Sequence, residues 1–446
     1  MAPAADITLF QGPVGSLRHR CPMCPAGSSA KPGLLRCGGC EAFRYCSREH
    51  QIAHRPEHKF PCKKIKNARA KVDREEQKVR NATEDFMTPA NAFETHVGHF
   101  WGILNTRDYM RARFLLAQLL LLTATLDGIE QGLEHLRDML RLCRSDNLGV
   151  RDMVPATMLR LDLDQEAYDF VKWWATCDPD GRYDWGDMTL PYLNIRGADV
   201  FEDPDLCLGK HPALNFLVAL LILKLKLVVD IRNVKISRKV FAQRPLPLEL
   251  RDQIEQNLVR SPLSAKLYKE SYASLLKTEM VLLDHICEIG TAIAKTNSHF
   301  MYTLFDPEEA LRDNPGAYSL GSWEEMSLAM QNSYTAWWET EGVLDLLNDT
   351  RVCAARDSES EIEDRMENAR WRQGRTAAEL LFDVSVNRIW GYLDYAAENA
   401  SYLGPWSERP SERYTREDQE AWDRAVAEEA EEAEYKDGAW SDDNED

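Results

Sequence analysis

Apolar residues recur every three or four positions over most of the chain beyond residue 90, and this spacing predicts helices. The first set runs Ala92 to Leu104, Arg107 to Ala124, Ile129 to Cys143, Val150 to Leu161 and Gln165 to Trp174. Thr106-Arg107-Asp108, Leu126-Asp127-Gly128 and Asp146-Asn147-Leu148-Gly149 punctuate them, the pattern of helical hairpins with short polar turns. Ala213 to Val229 is apolar almost throughout. It contains Lys224 and Lys226 within seventeen residues, whereas a membrane span needs roughly twenty mostly uncharged ones. A central buried helix is the expectation there, with no membrane role. Further helices are expected at Pro247 to Val259, Ser264 to Lys295, Ser322 to Leu347 and Ile362 to Ala400. The fold class is mainly α.

The pattern fails at both ends. Lys63 to Ala82 is charged and free of Pro and Gly, which reads as an exposed helix or linker. The first eighteen residues, and those from Pro405 onward, read as disordered; the run Glu428 to Glu434 lacks an apolar face and should stay solvated. The expected organisation is a tail over 1–18, a compact segment over 19–64 and a charged helical linker over 65–90. An all-α domain over 91–405 and an acidic tail over 406–446 complete it.

Chemistry concentrates in the compact segment. Cys21, Cys24, Cys37, Cys40, Cys46, His50, His58 and Cys62 place eight metal-ligand side chains within forty-two positions. A CxxC knuckle turns two thiolates toward one ion, and Cys46/His50 and His58/Cys62 each fall four residues apart, on one face of a helical turn. Pro56 interrupts the helix between those pairs. Alternating CxxC pairs with interspersed histidines fit zinc and not a secreted disulfide framework. Eight ligands make two closed tetrahedral sites, so the two Zn²⁺ are structural and leave no position for water. Spacing alone allows either interleaved or sequential pairing of the four ligand pairs. His54 continues the four-residue period but is surplus to two complete sites.

Cys21 to Cys62 resembles a MYND-type zinc finger. The resemblance is carried by the two CxxC pairs, Tyr45-Cys46-Ser47, His50-Gln51 and His58-Lys59-Phe60-Pro61-Cys62. His50 stands where that family usually has cysteine, and Arg55 where it often has tryptophan. The resemblance implies interleaved sites, Cys21/Cys24/Cys46/His50 and Cys37/Cys40/His58/Cys62. It also implies protein partners, docked through short proline-containing segments, with Gln51 and Arg55 as candidate contacts by position. Ser145 to Trp174 resembles tetratricopeptide-like helical stacks, and finger plus body resemble a group of fungal MYND-finger proteins.

Charge sharpens this picture. The chain carries −19 overall. Leu17 to Lys66 carries +8, or about +6 with six thiolates and two Zn²⁺ bound, while Glu417 to Asp446 carries −12. A basic finger invites nucleic acid, but no recognition helix is evident and the acidic remainder opposes polyanions. The start of the chain lacks a charged-then-apolar signal, and Cys143, Cys177, Cys207, Cys287 and Cys353 are scattered as thiols of a reducing compartment, so an intracellular location is expected. Thr176 to Asp187 echoes a calcium loop but reads as an acidic turn. Trp173-Trp174 and Trp337-Trp338 are assigned to helix packing. Motifs for nucleotide binding, hydrolysis and metalloprotease chemistry are missing, and Asn297-Ser298-His299-Phe300 does not replace the Asn-His-Ser-Cys run of SET methyltransferases. The reading is a non-enzymatic zinc-binding adaptor. The alternatives are a transcriptional or chromatin regulator acting through the finger and a cryptic enzyme with its site in the helical body.

Overall fold

Leu35–Arg36 (β1) and Arg44–Tyr45 (β2) pair antiparallel, with Leu35 opposite Tyr45 and Arg36 opposite Arg44. A ribbon of this size does not stand alone in water and needs cross-links. Ser47 starts Arg48–Ala53 (α1), its hydroxyl accepting from the His50 N–H at 3.2 Å. Arg55–Arg80 (α2) begins directly after His54, with Pro56 in the first turn, where its missing N–H has no helical partner to lose. The computed structural model describes residues 17–24, 33–84, 89–209, 212–243, 245–367, 372 and 374–399. The acidic segment over 406–446 and most of the 1–18 tail lie outside them.

The charged linker expected over 65–90 takes a different form. Residues 65–80 continue α2, the helix that carries His58 and Cys62, and they bury Ile65, Ala68, Val72 and Val79 against the body. Lysine and arginine at the intervening positions mask this narrow apolar stripe in the sequence. The helix expected over Ala92 to Leu104 is also different. Ala92–Thr95 (α3) is a single turn, and 3₁₀ turns follow at Phe100–Gly102 and Leu104–Thr106. Gly98 adopts a φ of +96°, open to glycine without strain. It donates to the Leu142 carbonyl and accepts from the Arg144 N–H, both at 3.0 Å, which pulls His99 into a bridge opposite Cys143.

Arg107–Leu121 (α4) and Leu126–Leu142 (α5) form the first hairpin, and Val154–Arg160 (α6) and Asp164–Thr176 (α7) the second. Leu214–Gln243 (α8) then occupies the centre. Leu248–Leu258 (α9), Pro262–Lys269 (α10) and Tyr272–Thr296 (α11) follow; Ser271 caps α11 by accepting from the Ser274 N–H at 3.1 Å, which splits the helix expected over Ser264 to Lys295. Phe300–Phe305 (α12) and Glu308–Arg312 (α13) lead to Trp323–Glu339 (α14), which returns to pack on α6 and α8. Val343–Glu367 (α15), Ala377–Arg388 (α16) and Leu393–Asn399 (α17) close the body. Thr340 ends α14 and separates it from α15, dividing the helix expected over Ser322 to Leu347. The first two hairpins follow one another as in a stack, whereas α8 touches α6, α7, α10, α11 and α14 together.

Because α8 is enclosed, its charges need partners. Lys226 reaches Asp164 at 2.6 Å, Asp162 at 2.7 Å and the Leu159 carbonyl at 3.1 Å. Asp230 pairs with Arg260, Lys235 with Glu279 at 2.5 Å, and Lys224 donates to the Val200 carbonyl at 2.5 Å. No helix among the described residues is long and apolar enough to cross a membrane. Trp173, Trp174, Trp337 and Trp338 are all buried in the core. The Thr176 to Asp187 loop is held by its own carboxylates: Asp178 accepts from the Arg182 and Tyr183 N–H groups and Asp184 from Gly186.

Candidate metal centre

The ribbon and the α1–α2 corner bring the eight ligand residues into two clusters. One holds Cys21, Cys24, Cys46 and His50; the other Cys37, Cys40, His58 and Cys62, with the ligand atoms of each within 4.8 Å of one another. The pairing is interleaved, which spacing alone left open. Each cluster takes one CxxC knuckle and one pair spaced by four: His58 and Cys62 both lie on α2, whereas Cys46 follows β2, ahead of the Ser47 cap, and only His50 is on α1, so each site clamps a knuckle onto a helix.

The donor geometry fits zinc. Zn–S bonds of about 2.3 Å and Zn–N bonds of about 2.0–2.1 Å give tetrahedral edges of about 3.8 Å between sulfurs and about 3.5 Å between sulfur and nitrogen. Cys24 and Cys46 sulfurs lie 3.6 Å apart, and those of Cys37 and Cys62 3.8 Å. His50 Nδ1 stands 3.4, 3.6 and 3.3 Å from the sulfurs of Cys21, Cys24 and Cys46. His58 Nε2 stands 3.3 and 3.6 Å from those of Cys37 and Cys40. Histidine at position 50 therefore completes its site through Nδ1 without widening it.

Electrostatics agree with this assignment. Burial, with help from His54 and Arg55, pushes the His58 imidazole down to about 4, leaving it in the neutral, ligating form. Burial raises the Cys40 thiol to about 12, and the neighbouring Cys37 and Cys62 sulfurs push it the same way. Three sulfurs so close repel once ionised, and a central divalent cation is what reconciles three thiolates in one site. Bound there, the ion supplies cross-linking and no open coordination position.

His54 is not a ligand. It is buried, its ring stacked on His58 with centroids 5.5 Å apart, and its Nδ1 lies 2.9 Å from the Tyr45 hydroxyl. Phe43 meets His58 edge-on at 4.6 Å. Gln51 accepts a hydrogen bond from Arg48, and Arg55 is exposed at the start of α2.

The attachment of the finger to the body escaped the sequence reading. Asp127, 2% exposed, accepts from Arg44 Nε at 2.5 Å and Nη2 at 2.8 Å, pairs with Arg36, and has His19 at 3.5 Å. Burial would raise its carboxyl, but the two guanidinium groups hold it below the usual carboxylate range. Thr125 donates to the Ala42 carbonyl at 2.6 Å and caps α5 by accepting from the Gly128 N–H at 3.2 Å. Gln131 reaches the Glu41 carbonyl at 3.2 Å, and Arg69 the Cys40 carbonyl at 3.1 Å. In the sequence these α5 residues read as mere punctuation; only Thr125-x-x-Gly128 with Asp127 in the first turn hinted at a capped helix start.

A concavity of about 320 Å³ lies where His99, Trp101, Arg107, Cys143 and Trp185 converge. The Cys143 thiol there is hydrogen-bonded to Asn147 Oδ1 at 3.4 Å and Ser145 Oγ at 3.5 Å. None of the eleven cysteines forms a disulfide, and the five outside the zinc clusters, Cys143 among them, are thiols.

No curated protein and no solved structure matches the chain. Residues 21–62 match the family model described as MYND finger, so this segment, with its two Cys₃His clusters, is a zinc-binding MYND-type finger of the kind that mediates protein–protein contacts.

Proposed function

We propose that the chain is a non-catalytic adaptor. Its finger docks short peptide segments of partner proteins, proline-containing ones among them, and its helical body offers a second surface. One observation carries this reading: both zinc clusters draw all four ligands from the protein, and the finger they stabilise is clamped to the body while Ile52, Arg55 and Lys59 at the α1–α2 corner stay exposed. A closed zinc site shapes a surface without doing chemistry. Partner exchange is the activity such a surface supports.

The test is affinity capture with mass spectrometry, comparing the intact chain with Gln51→Ala/Arg55→Ala. These substitutions leave every zinc ligand in place, so zinc content and the thermal melt should be unchanged. Selective loss of partners supports docking through the finger. An unchanged partner list overturns it and moves the docking role to the helical body.

A further inference from the structure

The outer face of α2 carries cations that the fold does not use. Lys59, Lys63, Lys66, Ala70 and Arg74 follow one another at helical spacing and are all exposed. In the C-terminal half of the helix the cations are taken: Arg74 and Lys78 pair with Glu75, and Arg80 with Glu76. In the N-terminal half, Lys59, Lys63 and Lys66 have no carboxylate partner among the described residues. Like charges one turn apart weaken a helix, and positive charge near its N-terminus opposes the helix dipole. The fold thus gives up stability to keep these lysines where they are.

The same stretch exposes apolar surface. Phe60 is 65% exposed, with the Lys64 ammonium 4.3 Å from its ring centroid, and Ile52 on α1 is 57% exposed. A single exposed apolar side chain means little. An aromatic ring set among unpaired lysines is a different feature, since it offers an anchor and a field of one sign together.

We infer that this α1–α2 face, with Phe60 as anchor and Lys59, Lys63 and Lys66 around it, docks an acidic peptide segment bearing an apolar side chain. The inference rests on the adaptor reading and gives its partner a chemistry. Peptide is favoured over nucleic acid because the chain's net charge of −19 opposes the approach of a long polyanion. A short acidic segment feels the local lysines, because screening confines the rest of the charge to about one Debye length of roughly 8 Å.

The experiment uses the full zinc-loaded chain and fluorescence anisotropy. Three probes are compared: a short labelled peptide with Glu residues around one Leu-Trp pair, its Gln-for-Glu counterpart, and a DNA duplex. The acidic peptide should bind, and binding should weaken with salt. Lys59→Gln/Lys63→Gln/Lys66→Gln should weaken it at least about tenfold, Phe60→Ala about fivefold or more, and the triple Lys→Arg variant should retain it. The Gln variant removes only like-charge neighbours, so its zinc content should match wild type and its melt should be equal or higher. Equal binding of the Gln-for-Glu peptide, wild-type affinity in the Lys→Gln variant, or tighter binding of the duplex would overturn the inference. Its failure is separable from that of the adaptor reading: finger-dependent capture of partners with no affinity for the acidic probe leaves the adaptor standing and removes only the acidic chemistry.

Discussion

Asp127 should tie zinc retention to the helical body, although it touches no zinc ligand. Its carboxylate is 2% exposed and accepts two hydrogen bonds from Arg44, which is itself largely buried, while Arg36 keeps half its surface in water. Deleting one partner of a fully buried ion pair costs about 3–5 kcal/mol. Arg36 can resolvate, so Asp127→Ala should cost about 2–4 kcal/mol, counted as the loss of the charged hydrogen bonds to Arg44. Asp127→Asn, which keeps one acceptor, should fall in between.

The signature is where that energy appears. If finger and body form one cooperative unit, undocking exposes the ribbon and the first turns of α2, and the population from which zinc escapes rises. At about 1.4 kcal/mol per decade, 2–4 kcal/mol corresponds to about thirty- to several-hundred-fold more of the undocked state. The assay is stopped-flow transfer of zinc to a chromogenic chelator under conditions where release follows undocking, paired with urea denaturation of the zinc-loaded protein. A variant that loses stability and releases zinc faster confirms the coupling. Wild-type release together with a stability change below about 0.5 kcal/mol would refute it, and would mean the clamp is solvated and the finger self-standing.

Other outcomes follow from the same packing. Lys226→Ala should destabilise by about 3–5 kcal/mol in chemical denaturation, because it strands Asp164 in the core. Gly290→Ala should lower stability by about 1–3 kcal/mol, since a Cβ there would lie 2.2 Å from the Trp390 ring; a thermal melt checks it. Asp152 is raised to about 6, first by burial and then by Asp146 and Glu325. A raised carboxyl means the folded state binds the proton more tightly than the unfolded chain, so this group favours folding below pH about 4, and that advantage fades as pH climbs through about 6. Asp152→Asn should therefore raise stability at pH 7.5 by about 1–2 kcal/mol, discounted for its partial exposure, with that gain largely gone at about pH 3.5. Chelation of the two zinc ions should lower the melting temperature of the helical body as well as unfold the finger, followed by circular dichroism at 222 nm.

The metal site was legible because ligand chemistry imposes spacing. Cysteine and histidine at two- and four-residue intervals leave few alternatives, and all eight positions converge in space. What spacing could not supply was the pairing, since Cys21/Cys24 could join either partner pair until the ribbon crossed over. The helices were legible where an apolar stripe ran uninterrupted, as in α4, α5 and the first half of α8, which runs on to Gln243, past the Val229 where the apolar run ends. They misled where one residue changed the backbone, at Gly98 and at the Ser271 cap. α12 and α13, six and five residues long, are too short for periodicity to register. Asp127 was invisible for another reason: its partners Arg36 and Arg44 lie more than eighty residues away, and an acidic residue at a helix start always has a local explanation.

The clamp also bears on how a chain with the proposed adaptor function would select its partners. A finger on a flexible tether samples many orientations, and a second contact on the body would gain only the effective concentration the linker allows. Here α2 leaves the zinc site as one helix and packs along α4, while Asp127, Gln131 and Thr125 hold the ribbon to the start of α5. The finger surface and the body are thus presented at a fixed spacing and angle. A partner with two contact segments must match that geometry to gain from both, and one whose segments are misplaced gains nothing over the better single contact. Thr125→Ala with Asp127→Ala removes the ribbon's hold on α5 without touching either surface, and should loosen their relation. Two-segment partners should then lose affinity while single-segment peptides keep theirs, and equal retention of both would mean that the rigid attachment serves stability alone.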